Sequence, residues 1–362
     1  MIDGRATSDS LLHLRPGPAD AASWDRILAA SPGGGHVYQS YAWGEFKGRH
    51  HWKPLRVVLY QGDAAVGCAQ VLARTFPPLG TLAYCPKGPW LDWENRAHVR
   101  VVFEGLEGLL RAQGVFTLRI EPEVRESQDD VKQQLQNLGF RRGRWNMQFK
   151  TTMFIDLTPG EDELLARMKA GTRRNVRLAA RHGITVHEDN SLDARHTFFD
   201  MFERTSRRDG FFMRPRSYIM AGWDALIRSG QGHVFLAKHG STPLAGMFVC
   251  TLGAKYWYKD GASENEGRNL MPTYALQWEV MRWARSQGIT TYDMVAIPNP
   301  DNLNENDPMW GLYRFKSGFG GTIAEFATAM DVFYRAGAAR LWHQSEPLVY
   351  RAYMRLFKDV YY

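Results

Sequence analysis

The sequence predicts an α/β protein of two units in tandem, each ordered strand, strand, strand, helix, strand. Length is the first reason: 362 residues and 41.3 kDa exceed what one hydrophobic core ordinarily encloses. The second is a pattern that occurs twice. PLRVVLYQGDAAVGCAQVLAR, from Pro54, and GHVFLAKHGSTPLAGMFVCTL, from Gly232, each read as two apolar strands around a Gly-containing turn. Spacing is the third: Gly62 and Gly114 lie 52 residues apart, and Gly240 and Gly288 lie 48 apart.

The remaining elements follow in order. Each strand pair leads into an aromatic segment, TLAYCPKGPW from Thr81 and KYWYKDGASE from Lys255. Each then enters an amphipathic helix that stops at a Gln-Gly cap, LLRAQG and WARSQG. A new strand follows each cap, VFTLRIEP from Val115 and ITTYDMVAIP from Ile289. The boundary falls around MQFKTTMFIDL, which gives a first domain over residues 1–152, completed by 322–362, and a second over 153–321. Thr158-Pro159-Gly160-Glu161 reads as a capping box with acidic residues in the first turn. The next helix, TRRNVRLAARHG, ends at Gly183, and another is expected around Ser217–Ser229. No sustained heptad run occurs, so no coiled-coil arm is expected. The aromatic, basic tail from Tyr334 reads as a helix packed on the first domain. The repeated element order is the core order of the acetyltransferase-like (GNAT) fold.

Composition narrows the class. Aromatic residues at 13% exclude a disordered chain. Cys68, Cys85 and Cys250 are far apart, with no CxxC and no HExxH, so neither a disulfide framework nor a metal site is expected. The charged N-terminus (Asp3, Arg5, Asp9) does not read as a signal peptide, and no run is long enough for a membrane span. A cytoplasmic monomer is the simplest expectation. No GxSxG or P-loop occurs.

The net charge of +7 is concentrated. Between Arg141 and His182 ten Lys and Arg face four Asp and Glu. Arg173, Arg177 and Arg181 share a helix face at i, i+4, i+8, with Arg174 beside them. Like charges at that spacing repel, and a bound polyanion such as RNA relieves the repulsion. A CoA-dependent enzyme of this fold cradles pyrophosphate on a Gly-rich helix start. Here that place reads Glu264-Asn265-Glu266-Gly267-Arg268-Asn269-Leu270-Met271-Pro272, where two carboxylates repel pyrophosphate. The fold thus reads as acyl transfer without an acyl-CoA donor.

RRNVRLAARHGI from Arg173, YKDGASENEGRNLMPTYALQWEVMRWA from Tyr258 and GLYRFKSGFGG from Gly311 resemble the FemABX family of peptidoglycan bridge-forming aminoacyltransferases. YAWGEFKGRHHWKP from Tyr41 and CPKGPWLDW from Cys85 fit that family's first domain. The resemblance spans about residues 36–335. It implies transfer of an amino acid (Gly, Ala or Ser) from aminoacyl-tRNA, with no cofactor. The acceptor it implies is the stem-peptide side-chain amine of UDP-MurNAc-pentapeptide or lipid II, in the cytoplasm and in peripheral contact with the inner membrane face. An acyl-CoA N-acyltransferase of the same fold and a non-catalytic tRNA-binding protein are the alternatives.

The resemblance also implies roles. Lys47 would bind the precursor's phosphates, with Arg214 and Tyr218, or Arg216, in the same pocket. Glu121 stands where the family carries Asp near the peptide. Tyr258, or Tyr256, would lie near the acceptor. Phe315 and Lys316 would serve the donor site and catalysis, and Arg173, Arg174, Arg177 and Arg181 would hold tRNA. An amine attacking an ester needs no enzyme nucleophile, only positioning and an oxyanion stabiliser such as Lys316.

Overall fold

The computed structural model describes residues 12–77, 80–299, 301 and 303–356. The N-terminal charges Asp3, Arg5 and Asp9 and the end of the tail, 357–362, lie outside them. The chain divides into two compact units, one formed by the segments up to Lys150 and from Phe326 onward, the other by Thr151–Glu325.

The first unit begins with β1 (Leu12–Pro16), α1 (Ala21–Ala30), α2 (Tyr41–Gly48), β2 (Lys53–Gln61), β3 (Ala64–Phe76) and β4 (Gly80–Pro86). It continues with α3 (Arg96–Ala112), β5 (Val115–Glu121), α4 (Asp129–Asn137) and the short β6 (Arg141–Arg142). The second unit opens with β7 (Thr151–Asp156), α5 (Glu161–Arg167), α6 (Ala170–Arg181), β8 (Ile184–Glu188), α7 (Leu192–Asp209) and α8 (Arg216–Arg228). It is completed by β9 (Gly232–His239), β10 (Thr242–Leu252), β11 (Lys255–Ser263), α9 (Pro272–Ser286), β12 (Thr291–Asp293), α10 (Trp310–Ser317) and β13 (Thr322–Glu325). The chain then returns to the first unit with β14 (Met330–Phe333) and α11 (Ala336–Leu356).

Each unit holds a seven-stranded sheet, ordered β1-β2-β3-β4-β5-β14-β6 in the first and β13-β7-β12-β11-β10-β9-β8 in the second. The repeat expected from spacing is present. In both sheets an antiparallel hairpin and third strand precede one parallel pair, β4/β5 or β11/β12. A parallel pair needs a crossover, supplied by α3 and α9. Both helices stop at left-handed glycines, Gly114 at φ +73° and Gly288 at φ +74°.

Strand alternation covers both faces of each sheet. In the first unit Val57, Leu59, Val71, Ala83, Leu118 and Ile120 meet the apolar stripe of α3. Leu72, Leu82, Tyr84 and Phe116 meet Trp342 of α11 on the other face. In the second, Met247, Val249 and Tyr256 pack on α9, while Phe248 stacks on Trp223, which stacks on Phe198.

Two local expectations change. The capping box at Thr158 does not form: its hydroxyl donates to Asp156 Oδ1 at 2.7 Å, and α5 starts at Glu161 with no side-chain cap. The first helical residue there is therefore not Pro159. Between α7 and α8 stand only residues 210–215, so there is no coiled-coil arm. Among the described residues no helix is long and apolar enough to cross a membrane.

Candidate functional site

Parallel strands end on one side of a sheet, and side chains gathered there carry the chemistry of many α/β proteins. In the second unit β12 ends at the buried Asp293. Its Oδ1 accepts from the Thr152 hydroxyl and from Val295 N at 2.8 Å. The chain beyond is bent sharply: Val295 and Ala296 have φ of 50° and 44°. A β-branched residue in that region is strained by roughly 1–3 kcal/mol and persists only where surroundings hold it.

Lys316 holds it. Its side chain is 4% exposed, and Nζ donates to Met294 O at 2.8 Å, Val295 O at 2.5 Å and Ala296 O at 3.1 Å. All three N–H directions of the ammonium are used, so none is left to face an oxyanion in this geometry. That corrects the expected role: Lys316 positions the 294–296 turn. Burial pulls its pKa down to about 7, against the Asp293 carboxylate, which favours the ammonium.

The glycines after Lys316 have a steric reason. A Cβ at Gly318 would lie 2.1 Å from Thr172 Oγ1, one at Gly320 2.3 Å from Arg167 O, and one at Gly321 2.6 Å from Phe154 O. The RFKSGFGG run therefore threads α10 close past α5, α6 and β7. Phe315 stands edge-on to Tyr274 and Phe319, at 5.2 and 5.3 Å between ring centroids, at the rim of the core.

Tyr258 completes the cluster. Lys316 Nζ sits 5.4 Å from its ring centroid, and burial together with Asp260 pushes the phenol pKa up to about 12. It therefore stays a neutral hydroxyl. Tyr256 is fully buried and stacked on Tyr292 at 4.1 Å, so it is a core residue that no substrate reaches. Tyr292 donates to Gln277 of α9, which also bonds Tyr258. Sequence reading missed Gln277, Asp293 and Thr152. The available signal was a lone polar residue between Leu276 and Trp278 on an apolar helix face.

Gly261 admits the Tyr258 hydroxyl, since a Cβ there would lie 1.8 Å from it. Gly261→Ala should therefore displace the ring, destabilise by about 1–3 kcal/mol and lower transfer. In a Tyr258→Ala background the same change should cost nothing further, and thermal melts of the four variants check this.

Arg214 lies with its guanidinium 4.5 Å from the Tyr218 ring centroid, so that pair is formed. Arg216 is instead bound to Asp200 at 2.6 Å and lies over Phe199. In the first unit, buried Lys47 lies 5.3 Å from the Trp52 ring centroid, and Trp52 packs on Tyr84 at 6.4 Å. Tyr84 donates to Glu121 at 2.8 Å, so Lys47 and Glu121 end one continuous chain of contacts. Glu121 also accepts from the backbone N–H groups of Met147 and Gln148, at 2.5 and 2.9 Å. Burial pushes its pKa up, while those donors oppose the shift.

On α6 the basic face is rearranged. Arg173 Nη1 donates to Leu165 O and Ala166 O at 3.1 and 3.2 Å, capping the end of α5. It is thus a structural cation and leaves the expected RNA-facing set. Arg174, Arg177 and Arg181 are exposed, and among the described residues no hydrogen bond or ion pair engages them.

The start of α9 matters for the donor. Pro272 brings no N–H, while Tyr274 N and Ala275 N donate to Met271 O. Glu264 is held by Arg204, with Nη2 to Oε1 at 2.5 Å. Few free N–H groups face outward from this helix end.

The FemAB family model matches residues 24–225 and 227–335. The lipid II:glycine glycyltransferase of Staphylococcus aureus is 25% identical over 412 aligned residues, covering 93% of this chain and 97% of the relative. A crystal structure of FemX superposes with a TM-score of 0.83 at 23% identity, over 92% of this chain and 100% of that one. A tandem GNAT protein from the clavulanic acid pathway superposes at 0.51 and 14% identity, over 89% and 98% of the two chains. These structural likenesses give the fold, two GNAT-like units in tandem. With four-fifths of the sequence inside one family model, the chain belongs to the FemAB family and is an aminoacyltransferase.

Proposed function

We propose that this chain moves glycine, alanine or serine from aminoacyl-tRNA to the stem-peptide side-chain amine of a peptidoglycan precursor, as UDP-MurNAc-pentapeptide or lipid II. The observation that carries the choice of donor is the start of α9. A Pro at its first position, two self-bonded N–H groups and the nearby Glu264 leave no cradle for the pyrophosphate of CoA. The unpaired Arg174, Arg177 and Arg181 suit RNA phosphates instead. The relative's name supports lipid II as acceptor and glycine as donor.

The first unit takes the precursor and the second the donor. In the first unit Lys47 binds the precursor's phosphates, and Glu121 keeps the 147–148 backbone in place beside the peptide; in the second unit the Arg214–Tyr218 pair offers a phosphate a cation. Tyr258 offers a neutral hydroxyl near the reacting ester, and Phe315 and Lys316 shape the turn beneath it. The amine attacks the ester carbonyl, a tetrahedral oxyanion forms, and the tRNA 3′-oxygen leaves with a proton. Aminoacyl-tRNA is the co-substrate and no cofactor takes part. The chain works in the cytoplasm, where the outer face of α11, with exposed Leu341, Leu348 and Leu356 flanked by Arg351 and Arg355, meets anionic lipid. Flotation with phosphatidylglycerol vesicles, weakened by Leu348→Glu, checks that contact.

The decisive experiment screens glycyl-, alanyl- and seryl-tRNA against lysine- and ornithine-containing precursors, read by mass spectrometry. Transfer from one charged tRNA is the expected result. Saturable acetyl-CoA binding with acetyl transfer would overturn the donor assignment. Arg174→Glu with Arg177→Glu should weaken tRNA binding and flatten its salt dependence by about two phosphate contacts; Arg173→Glu should act through stability.

A further inference from the structure

A chain of stacked cations and rings joins α11 to Lys47 within the first unit. After α2 the backbone folds back: His51 has φ +68°, and Trp52 N donates to Lys47 O at 3.2 Å. The buried Trp52 indole is thereby laid beside the Lys47 ammonium, which stands 5.3 Å from its ring centroid. Arg74 of β3 lies against the same indole, its guanidinium 5.6 Å from the centroid. That guanidinium is also 5.4 Å from the Phe76 ring centroid and 5.0 Å from that of Tyr353 in α11. Its Nη2 donates to the Tyr353 hydroxyl oxygen at 3.1 Å.

Tyr353 belongs to the inner stripe of α11. Trp342, Glu346, Tyr350 and Tyr353 follow at helical spacing and share one face. Trp342 is buried against Phe76 and Phe116, and the buried Glu346 meets Arg119 at 3.0 Å. These anchors fix where Tyr353 stands, about two turns beyond Glu346. Arg74 is therefore held from α11 by a stacked ring and a hydrogen bond, and it in turn presses on Trp52.

An ammonium on a flexible four-carbon stem has many rotamers, whereas a flat guanidinium that is stacked and hydrogen-bonded keeps one orientation. Trp52 can restrict Lys47 only as far as Trp52 is itself held. Two cations on one indole also repel each other, a cost that an anion at Lys47 relieves. Resting on the reading that Lys47 binds the precursor's phosphates, we infer that Arg74 and Tyr353 are positioning residues for that binding. Through Tyr353, Arg74 and Trp52, α11 holds the Lys47 ammonium where phosphate oxygens meet it. Neither Arg74 nor Tyr353 touches the precursor; both act through the indole.

Calorimetric titration of the full chain with UDP-MurNAc-pentapeptide, and with lipid II in detergent micelles, tests the inference. Arg74→Leu and Tyr353→Leu should each weaken the tighter of the two ligands about tenfold. Its KM should rise alike, with turnover at saturation and tRNA binding unchanged. Lys47→Met should weaken binding at least as much, and adding Arg74→Leu to it should cost nothing further. A role in folding alone gives the opposite pattern, additive losses with lower turnover. Should Tyr353→Leu lower the melting temperature, Tyr353→Phe decides, since it keeps the ring and loses only the hydrogen bond; about threefold weaker binding is expected. With Lys47→Met impaired, native-like binding in Arg74→Leu or Tyr353→Phe, or an additive loss in the double variant, would overturn the positioning role alone. Native-like binding in Lys47→Met, or none by the native chain, would instead overturn the reading of Lys47 beneath it.

Discussion

Lys316→Met is expected to lower transfer by at least about 100-fold, reducing turnover more than precursor affinity. The reason is geometric. Three carbonyls converge on Nζ, and two of them belong to residues with positive φ. Removing the ammonium leaves buried acceptors without donors and releases a strained turn, which should destabilise by about 3–5 kcal/mol. Arginine should not rescue, because a flat guanidinium cannot present three converging donors. If transfer vanishes while the thermal melt stays unchanged, Lys316 acts on the substrate itself and the positioning role is wrong.

A pH dependence follows from the same residue. Burial lowers the pKa of folded Lys316 to about 7, whereas an unfolded lysine has its ordinary value of about 10.4. Between those values the unfolded chain binds more protons, so raising the pH favours the folded state. The slope contributed is at most about 1.4 kcal/mol per pH unit. Denaturant titrations between pH 7 and 10 should show it in the native chain and not in Lys316→Met.

Asp331→Asn should lower the melting temperature of the first unit by about 10 °C. Arg119 of β5 is buried, with Nε and Nη2 on the two oxygens of Asp331 at 2.6 and 2.7 Å and Nη1 on Glu346 at 3.0 Å. This triad ties β14 and α11 to a sheet whose other strands come from far earlier in the chain. Removing one partner strands buried charge, at about 3–5 kcal/mol. Replacing Arg119, Asp331 and Glu346 together by Met, Leu and Leu should restore most of the loss. Limited proteolysis within α11 should accelerate in Asp331→Asn and not in the triple variant; equal cleavage in both would locate the attachment elsewhere.

Much of the fold was legible because its causes are local. Two hairpins, two Gln-Gly helix stops and near-equal spacing disclosed the repeat, since each is set by short-range backbone preference and strand alternation. The Lys316 motif was legible as a motif but not in its action. That Nζ meets the carbonyls of residues 294–296, some 20 positions earlier, depends on how α10 docks against the end of β12. The Thr158 capping box failed for the opposite reason: Asp156, two residues away, competes for the hydroxyl.

The sequence by itself determined that there are two α/β units, that their order is strand-strand-strand-helix-strand, and where the basic charge is concentrated. These depend on periodicity, turn residues and composition, which a linear string contains. Tertiary structure decided which side chains are spent internally: Arg173 on α5, Arg216 on Asp200, Tyr256 on Tyr292 and Lys316 on a strained turn. A cation's partner is fixed by three-dimensional proximity, and desolvation depends on what packs around it. Neither is encoded at a fixed sequence separation.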